Sequence, residues 1–384
     1  MTKTIGYYVA FVALGLINAS LGPTLPGLAE RTHTQIGEIG FLFTARSFGY
    51  LIGSLIGGRL YDRVPGHRVM GLMLIAVTIM MGIAPLVPLL WLLTLALLAL
   101  GVAEGAVDVG GNTLLVWVHR EKVGPFMNGL HFFFGVGAFL SPIIVAQAML
   151  RGGGILAAYW ALGLLVLPIG LWLLRLPSPA VQTTNVDDPS NGRVNHLLVV
   201  LIGLFFFLYA GAEIGFGGWI FTYALKTNLA DEAMAAYLNA GFWGAFTLGR
   251  LLAIPIATRL RPRAILSIDL IGGLVSVGLI LLGANSLLLT WLGTLGFGLA
   301  LASTFPTTLS FAERRMTITG QVTSWFFVGA SLGAMFWPWL MGQLFEAIAP
   351  IAMMITIAGV LMAAFAVFLV LMSFSKATKP IAGA

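Results

Sequence analysis

The sequence predicts an all-α integral membrane protein with twelve transmembrane helices in two pseudo-symmetric six-helix halves. Hydrophobic residues make up 59% of the 384 residues and charged residues only 9%, whereas about 25% of an ordinary soluble domain is charged. Apolar segments long enough to cross a bilayer core, which takes about 20 residues, recur along the whole chain. A single long polar stretch lies near the midpoint. Lipid is therefore the solvent for most of this chain.

Divided among twelve spans, the chain provides about 32 residues for each span and its connection, which is enough for a bilayer crossing. Twelve apolar segments can be identified in the sequence. The predicted spans are residues 5–28, 36–61, 69–87, 89–118, 126–150, 154–175, 197–225, 233–259, 263–284, 287–312, 317–345 and 348–374. These segments are apolar on all sides, whereas the strands of a membrane barrel alternate, so we expect helices. Asn18, Pro23 and Pro26 interrupt the first segment and no convincing cleavage motif follows it. We therefore expect a first span there rather than a signal peptide.

The distribution of Lys and Arg predicts the orientation in the membrane. If both termini are cytoplasmic, nearly all the basic residues outside the spans fall on that side, and only Arg31, Arg151 and Lys226 fall on the other. The positive-inside rule then predicts a multi-pass protein of the cell (plasma or inner) membrane with both termini in the cytoplasm. This arrangement also accounts for the net charge of +6, so we expect no nucleic-acid partner. The absence of Cys excludes thiolate metal sites and cysteine nucleophiles.

The polar stretch at residues 177–196 is predicted to be a cytoplasmic linker between an N-terminal six-helix bundle, 1–176, and a C-terminal one, 197–384. The two halves align weakly with each other, since residues 18–23 fall on residues 213–218. Parallel repeats of this kind place a substrate site near the midplane, between the halves. We expect the protein to act as a monomer.

Ionisable residues inside the spans are the first candidates for function, because each costs at least about 2.5 to 3.5 kcal/mol to insert. Glu104, Asp108 and Asn112 are spaced four apart and share one face of the fourth span. Arg46 in the second span is level with Glu104, which predicts an ion pair. Arg46 could simply neutralise a carboxylate so that this half folds. Alternatively, one carboxylate exchanges its Arg partner for H⁺ or Na⁺ as a cavity opens.

The fifth span adds Asn128 and His131 near its cytoplasmic end. Counting along the helices at about 1.5 Å per residue places His131 at the same depth as Asn112. We therefore expect both side chains to line the inner part of a path through the membrane.

In the second half, Glu213 lies near the centre of span seven and is followed by Gly215, Gly217, Gly218 and Trp219. Glycines at this density loosen a helix, which suits a carboxylate that binds and releases a ligand. The alternative is a neutral carboxylic acid hydrogen-bonded to the other half.

Three further side chains lie at a depth that suits a central cavity, namely Asn239, Trp243 and Trp325. Aromatic faces combined with amides and carboxylates are what a hydrated polyol requires. Arg250 and Asp269 lie in the inner half of the membrane, where we expect them to pair structurally.

Small residues recur every four positions in two spans: Gly49, Gly53 and Gly57 in the second, Gly329 and Gly333 in the eleventh. This spacing predicts close helix packing.

The segment that follows span two reads GRLYDRVPGHR from Gly58 to Arg68. It resembles the loop signature of the major facilitator superfamily, G-x-L-x-D-R-x-G-R-R, with Pro65 inserted and His67 at a basic position. The resemblance implies a conformational latch, in which Asp62 caps helices of the opposite half in the outward-facing state and Arg63 and Arg68 take part.

Three other segments narrow the resemblance: GAVDVGGN at 105–112, LHFFFGVGA at 130–138, and Glu213 with the Gly217–Gly218–Trp219 sequence. They resemble the branch that contains fucose permease and the sodium-dependent glucose transporters. The resemblance implies symport, with span-four polar residues facing the sugar and ion path. Span five also lacks the G-P-x-x-G-G stretch of antiporters.

The leading hypothesis is a secondary active transporter that moves a small polar solute, a sugar, by cation-coupled symport and alternating access. The coupling ion would be H⁺ or Na⁺ and would bind at Glu104, Asp108 or Glu213. If the ion is Na⁺, the expected site is Asp108 or Glu213. The alternative is a proton-coupled exporter of amphipathic drugs or lipids. No metal-ligand cluster accompanies His131, so we expect neither an enzyme nor a cofactor. The expected partners are the solute, the coupling ion and membrane lipids.

Overall fold

The computed structural model describes residues 1–180, 195–316 and 320–374, and this part of the chain is helical without strands. The helices are α1 (Thr2–Asn18), α2 (Leu21–Thr32), α3 (Ile36–Ile39), α4 (Phe41–Tyr61), α5 (Gly66–Ile83), α6 (Leu90–His119), α7 (Val123–Leu150), α8 (Gly154–Arg175), α9 (His196–Lys226), α10 (Glu232–Arg259), α11 (Pro262–Leu282), α12 (Leu287–Leu301), α13 (Thr304–Glu313), α14 (Gly320–Ala347) and α15 (Ile351–Phe374). Most of the predicted linker lies outside the described residues.

The helices combine into twelve crossings, as predicted. By length and composition alone, nine helical stretches among the described residues qualify as spans, or ten if the bent pair α1–α2 counts as one. One stretch, Leu90–Leu150, has 61 residues and would be about 90 Å long if straight. It folds back at Arg120, whose φ of 49° lies in the left-handed region, and so supplies two crossings. The helix α14, which packs along α9, completes the set.

The first crossing is interrupted where the sequence predicts a disturbance. The helices α1 and α2 meet at an angle of 45°. Pro23 has no N–H to donate to the carbonyl four residues earlier, which frees backbone acceptors at this point. The Ser20 hydroxyl compensates in part by donating to the Ile17 carbonyl at 2.7 Å.

Glycines bring neighbouring helices into close contact, which confirms the packing predicted from their spacing. A Cβ added to Gly53 would lie 2.0 Å from the Val102 carbonyl oxygen, so α4 and α6 touch backbone to backbone. A Cβ on Gly333 would lie 2.0 Å from the Phe207 carbonyl oxygen, which brings α14 equally close to α9.

The first eight helices (α1–α8) contact the last seven (α9–α15) mainly in the half of the membrane distant from Met1. Along α7 and α10, the Gln147 side chain donates to the Tyr237 hydroxyl at 2.7 Å, and a Cβ on Gly135 would meet Thr247. Along α4 and α14, the Thr44 hydroxyl donates to the Met335 carbonyl at 2.8 Å. We call this closed region the distal seam.

Below the distal seam the two helix groups separate. Asn128 and His131 on α7 are exposed, as are Phe48 and Leu55 on α4. We infer from these exposed side chains that a central cavity lies between the two groups and opens toward the membrane face holding Met1. On the opposite face a separate cavity of 1250 Å³ lies above the seam, with Glu30, Lys226, Glu232 and Glu346 among its lining residues.

Candidate functional site

The predicted ion pair between Arg46 and Glu104 is present and sealed. The Arg46 Nε donates to Glu104 Oε2 at 2.7 Å and Nη2 donates to Oε1. The guanidinium also donates to the Asn18 carbonyl at 3.1 Å and the Ile17 carbonyl at 3.0 Å, where the first crossing is broken. Arg46 is 8% exposed and Glu104 1%. Both charges are satisfied, and in this conformation neither reaches the cavity.

Asp108 lies one turn from Glu104 and differs from it in access and in partners. Its side chain is half-buried. The Tyr50 hydroxyl donates to Asp108 Oδ2 at 2.6 Å, and Asn112 Nδ2 donates to the Asp108 carbonyl at 2.9 Å and to Oδ1 at 3.3 Å. Among the described residues Asp108 has no ion-pair partner. The carboxylate is therefore held by neutral donors beside the cavity.

Tyr50 was not identified as a site residue from the sequence, although its spacing from Arg46 could have predicted its contact with Asp108. Arg46 and Tyr50 are four residues apart on α4, as Glu104 and Asp108 are on α6. Because residues at this spacing share a helix face, the pairing of Arg46 with Glu104 predicts that of Tyr50 with Asp108.

The Phe11 ring lies between His131 and the helix that carries Asn112. It packs edge-on against the His131 ring, with centroids 6.0 Å apart, and it fills the space beside Gly111, the neighbour of Asn112. Asn112 is half-buried, and His131 and Asn128 are exposed. That these three residues line a path through the membrane stays a prediction.

Glu213 is half-buried on α9, beside the Tyr209 hydroxyl and within electrostatic reach of Arg250 on α10. The Arg250 guanidinium carbon lies 4.6 Å from the centre of the Phe246 ring. Arg250 is half-buried and also acts electrostatically on His131 of α7. The sequence predicts a structural pair of Arg250 with Asp269, whereas the neighbour of the guanidinium is the Phe246 ring on the same helix.

The predicted pairing of Arg250 with Asp269 is wrong. Asp269 is buried and accepts hydrogen bonds from the Ser303 hydroxyl at 2.7 Å and the Thr304 hydroxyl at 3.2 Å. These hydroxyls lie where α12 gives way to α13, and they satisfy the carboxylate without a cation. Equal depth in the membrane did not imply that the two side chains face each other.

Trp219 lies in the distal seam rather than in the open cavity. It is fully buried, and its indole N–H donates to the Pro338 carbonyl at 2.9 Å. Its ring lies between Phe43 and Phe345, with centroid separations of 5.7 Å to each. In this conformation Trp219 therefore joins α9 to α14 and to α4 of the other group.

Asn239 and Trp243 are buried where α10 packs on the glycine-rich part of α9. Asn239 Nδ2 donates to the Gly217 carbonyl at 2.6 Å, whereas its Oδ1 has no partner. The buried indole N–H of Trp243 also has none. Both side chains thus have a buried polar atom without a partner next to the glycine-rich segment of α9, which is nevertheless continuous helix.

Trp325 is 57% exposed near the start of α14 and shares a helical stripe with the exposed Leu332 and Phe336. A place for its indole in a central cavity stays a prediction.

The predicted latch residues Asp62, Arg63 and Arg68 are exposed, and none forms an ion pair with a described residue. The neighbouring His67 is instead buried, with its Nε2 2.8 Å from the Tyr7 hydroxyl and its Nδ1 3.2 Å from the Leu176 carbonyl. It ties α5 to α1 and to the end of α8. The latch role of Asp62, Arg63 and Arg68 stays a prediction.

Within the described ranges, no group of three or more His, Asp or Glu side chains lies close enough together to hold a metal ion. The polar side chains within the spans that are not fully buried are instead two carboxylates, Asp108 and Glu213, with amides, an imidazole and Arg250. Such a set binds polar solutes and monovalent cations by hydrogen bonding and charge.

Comparisons with known proteins agree with this architecture. The sequence pattern of the Major Facilitator Superfamily matches residues 7–338. The sodium-dependent glucose transporter 1 of Xenopus laevis is 33% identical over 85% of this chain and 72% of its own length. The human protein of the same name is 32% identical over 87% of this chain and 72% of its own length.

Solved structures share the fold at low sequence identity. A mutant of the nucleoside transporter NupG superimposes with a TM-score of 0.80 at 13% identity, covering 96% of this chain and 99% of its own. A bacterial homolog of the human lysosomal transporter Spinster, described as inward-facing and occupied, gives a TM-score of 0.78 at 12% identity, covering 99% and 98%. The chain is a multi-pass membrane transporter that belongs to the major facilitator superfamily, on the branch that includes the sodium-dependent glucose transporters.

Proposed function

We propose that this transporter moves a sugar by cation-coupled symport. The observation that supports the proposal is that two carboxylates, Asp108 on α6 and Glu213 on α9, are half-buried within membrane-spanning helices, one in each helix group. Carboxylates kept this deep in a membrane are expected to serve an ion or a solute. The names of the two sodium-dependent glucose transporters reported above favour sodium as the ion and glucose or a related sugar as the solute.

The polar groups near the opening suit a sugar. Asn112, Asn128 and His131 offer donors and acceptors for hydroxyl groups. Arg250 and Glu213 on the opposite side of the cavity provide charge-assisted hydrogen bonds. A solute held between α6–α7 and α9–α10 would contact both helix groups.

Alternating access would follow from rocking the two helix groups, residues 1–176 and 197–384, against each other. The distal seam closes on small contacts, such as Gly22 against the Gly217 and Gly218 carbonyls, which can separate without breaking ion pairs. Closing the opposite side would bring Asp62, Arg63 and Arg68 against the C-terminal helices. With cytoplasmic termini in the plasma or inner membrane, the present cavity faces the cytoplasm.

Uptake into proteoliposomes tests the proposal. Purified protein should concentrate radiolabelled glucose or a related sugar when an inward Na⁺ gradient is imposed, and should lose this ability when K⁺ replaces Na⁺ on both sides. An inward H⁺ gradient at constant Na⁺ tests the proton alternative. Absence of concentrative uptake of every sugar under both gradients would refute the proposal, and gradient-driven extrusion of amphipathic dyes would favour an exporter.

A further inference from the structure

Two polar groups on α10 are buried without a hydrogen-bond partner among the described residues. One is an acceptor, the Oδ1 atom of Asn239, and the other is a donor, the indole N–H of Trp243. Asn239 is 0% exposed and Trp243 4%. A buried donor or acceptor without a partner is unfavourable, and native proteins retain few of them. The pair therefore indicates a partner that the chain itself does not supply in this conformation.

Both groups lie around one residue of α9, Gly217. The Asn239 Nδ2 donates to the Gly217 carbonyl at 2.6 Å. A Cβ added to Gly217 would lie 3.0 Å from Cζ2 of Trp243, a ring carbon on the nitrogen side of the indole. Because residues four apart share a helix face, the free acceptor and the free donor are neighbours on the side of α10 that meets α9.

The depth of this pair suits a site for the solute. Trp243 lies about 4 Å from the midpoint of α10 and Asn239 about 10 Å, both toward the membrane face distant from Met1. Since α9 and α10 run antiparallel, counting one turn from the contact of Gly217 with Asn239 sets Trp243 level with the half-buried Glu213. Transporters built from parallel repeats bind their solutes near this level, between the repeats.

A helix of the other group, α2, covers the place where these side chains meet α9. A Cβ added to Gly22 of α2 would lie 2.8 Å from the Gly217 carbonyl oxygen, the atom to which Asn239 also binds. This contact belongs to the distal seam, so Asn239 lies directly behind the closed side of the protein. When α2 moves away from α9 and the seam opens, Asn239 and Trp243 become accessible from the face distant from Met1.

We propose that Asn239 and Trp243 bind one hydroxyl group of the solute while the distal seam is open, and release it as the seam closes. The assignment rests on the proposed sugar transport. A hydroxyl group is donor and acceptor at once, so a single group accepts from the Trp243 N–H and donates to the Asn239 Oδ1. Because the pair is withdrawn in the present conformation, the solute binds more tightly from the distant face than from the face holding Met1.

The test measures which hydroxyl groups the protein recognises from each side. Membrane vesicles of the two orientations expose either the distant face or the face holding Met1 to the added sugar. Exchange of radiolabelled glucose across these vesicles needs no gradient, and its inhibition by the monodeoxy analogues of glucose reports the affinity for each analogue. From the distant face, the wild-type protein should bind one analogue about tenfold more weakly than glucose, because a single hydrogen-bonded hydroxyl is missing. From the face holding Met1, this preference should be absent.

The variant Trp243→Phe keeps an aromatic ring but removes the indole N–H. From the distant face it should bind glucose about tenfold more weakly than the wild type does, and it should no longer distinguish glucose from that one analogue. A loss confined to one hydroxyl group and one face separates binding from a general defect in packing. Trp91→Phe, at a side chain of α6 that is 63% exposed, serves as the matched control and keeps the wild-type preference.

Two results would overturn the assignment. One is a Trp243→Phe protein that keeps the wild-type preference from the distant face, and the other is a wild-type protein with the same preference from both faces. Thermal unfolding in detergent identifies variants that fail to fold. If Trp243→Phe is one of them, Asn239→Leu, which should lose recognition of the same hydroxyl group, decides the question, and the comparison of the two faces in the wild type needs no variant. A wild-type protein that exchanges no sugar would instead remove the proposed function, and this assignment with it.

Discussion

The buried ion pair of Arg46 and Glu104 predicts how much stability the protein loses when one of the two charges is removed. Glu104→Gln leaves the shape of the side chain nearly unchanged but removes the charge that Arg46 faces. Arg46 is 8% exposed and cannot turn to water. Its bonds to the Ile17 and Asn18 carbonyls remain, yet they carry no compensating charge. Breaking a buried pair in this way costs about 3 to 5 kcal/mol.

Removing both charges together should cost much less. In the variant Arg46→Gln/Glu104→Gln no ion is stranded, and the two amides can hydrogen-bond to each other, so the loss should be about 1 to 2 kcal/mol from imperfect hydrogen bonding. The order of stability is therefore wild type, then the double variant, then Glu104→Gln. The ten tryptophans allow unfolding in detergent to be followed by intrinsic fluorescence as temperature rises.

Transport by the double variant completes the experiment. If the pair only supports the fold, the double variant keeps cation-driven uptake. A Glu104→Gln protein as stable as wild type would refute the reasoning about the stranded charge. A stable double variant that has lost its cation response would show that Glu104 exchanges its arginine for the ion during the cycle.

Three other predictions concern the path and its closure. Single cysteines at Asn112 and His131 in this Cys-free chain should react with a polar maleimide added from the side of Met1, and failure of both would show that these helix faces do not line the cavity. Gly22→Leu should force the distal seam apart, because even a Cβ at this position would lie 2.8 Å from the Gly217 carbonyl oxygen. Distances between spin labels placed across the seam should then lengthen. The control Gly82→Leu, at a position with open space around it, should leave these distances unchanged. Asp62→Asn should favour the conformation open toward Met1 by weakening the latch, and unchanged distances between the helix groups would contradict a latch.

Depth along a helix was predictable from the sequence, because apolar spans begin and end at similar levels and rise by a constant amount per residue. The level shared by Arg46 and Glu104 therefore gave a correct pair. The same count failed for Arg250 and Asp269, because depth does not specify the direction in which a side chain points. Asp269 turns toward the Ser303 and Thr304 hydroxyls of another helix.

Conformation was the second quantity that the sequence could not supply. Trp219 lies at a depth suited to a cavity, yet in this state it is buried among Phe43 and Phe345 of the distal seam. A transporter that alternates between two arrangements has one sequence and two sets of contacts. The depth of a residue such as Trp219 in its span predicts that it lies near the path. Only a structure shows whether it is buried in the closed seam or exposed in the open cavity.

The interruption of the first crossing has a consequence for how the protein can move. The helix α1 packs on α7 within its own group, whereas α2 reaches across to α9. The Ile17 and Asn18 carbonyls at the 45° bend accept hydrogen bonds from Arg46, and the Ser20 N–H at the start of α2 also donates to the Ile17 carbonyl. We infer that the bend is a preformed joint, at which α2 can swing away from α9 while the ion pair of Arg46 with Glu104 stays intact.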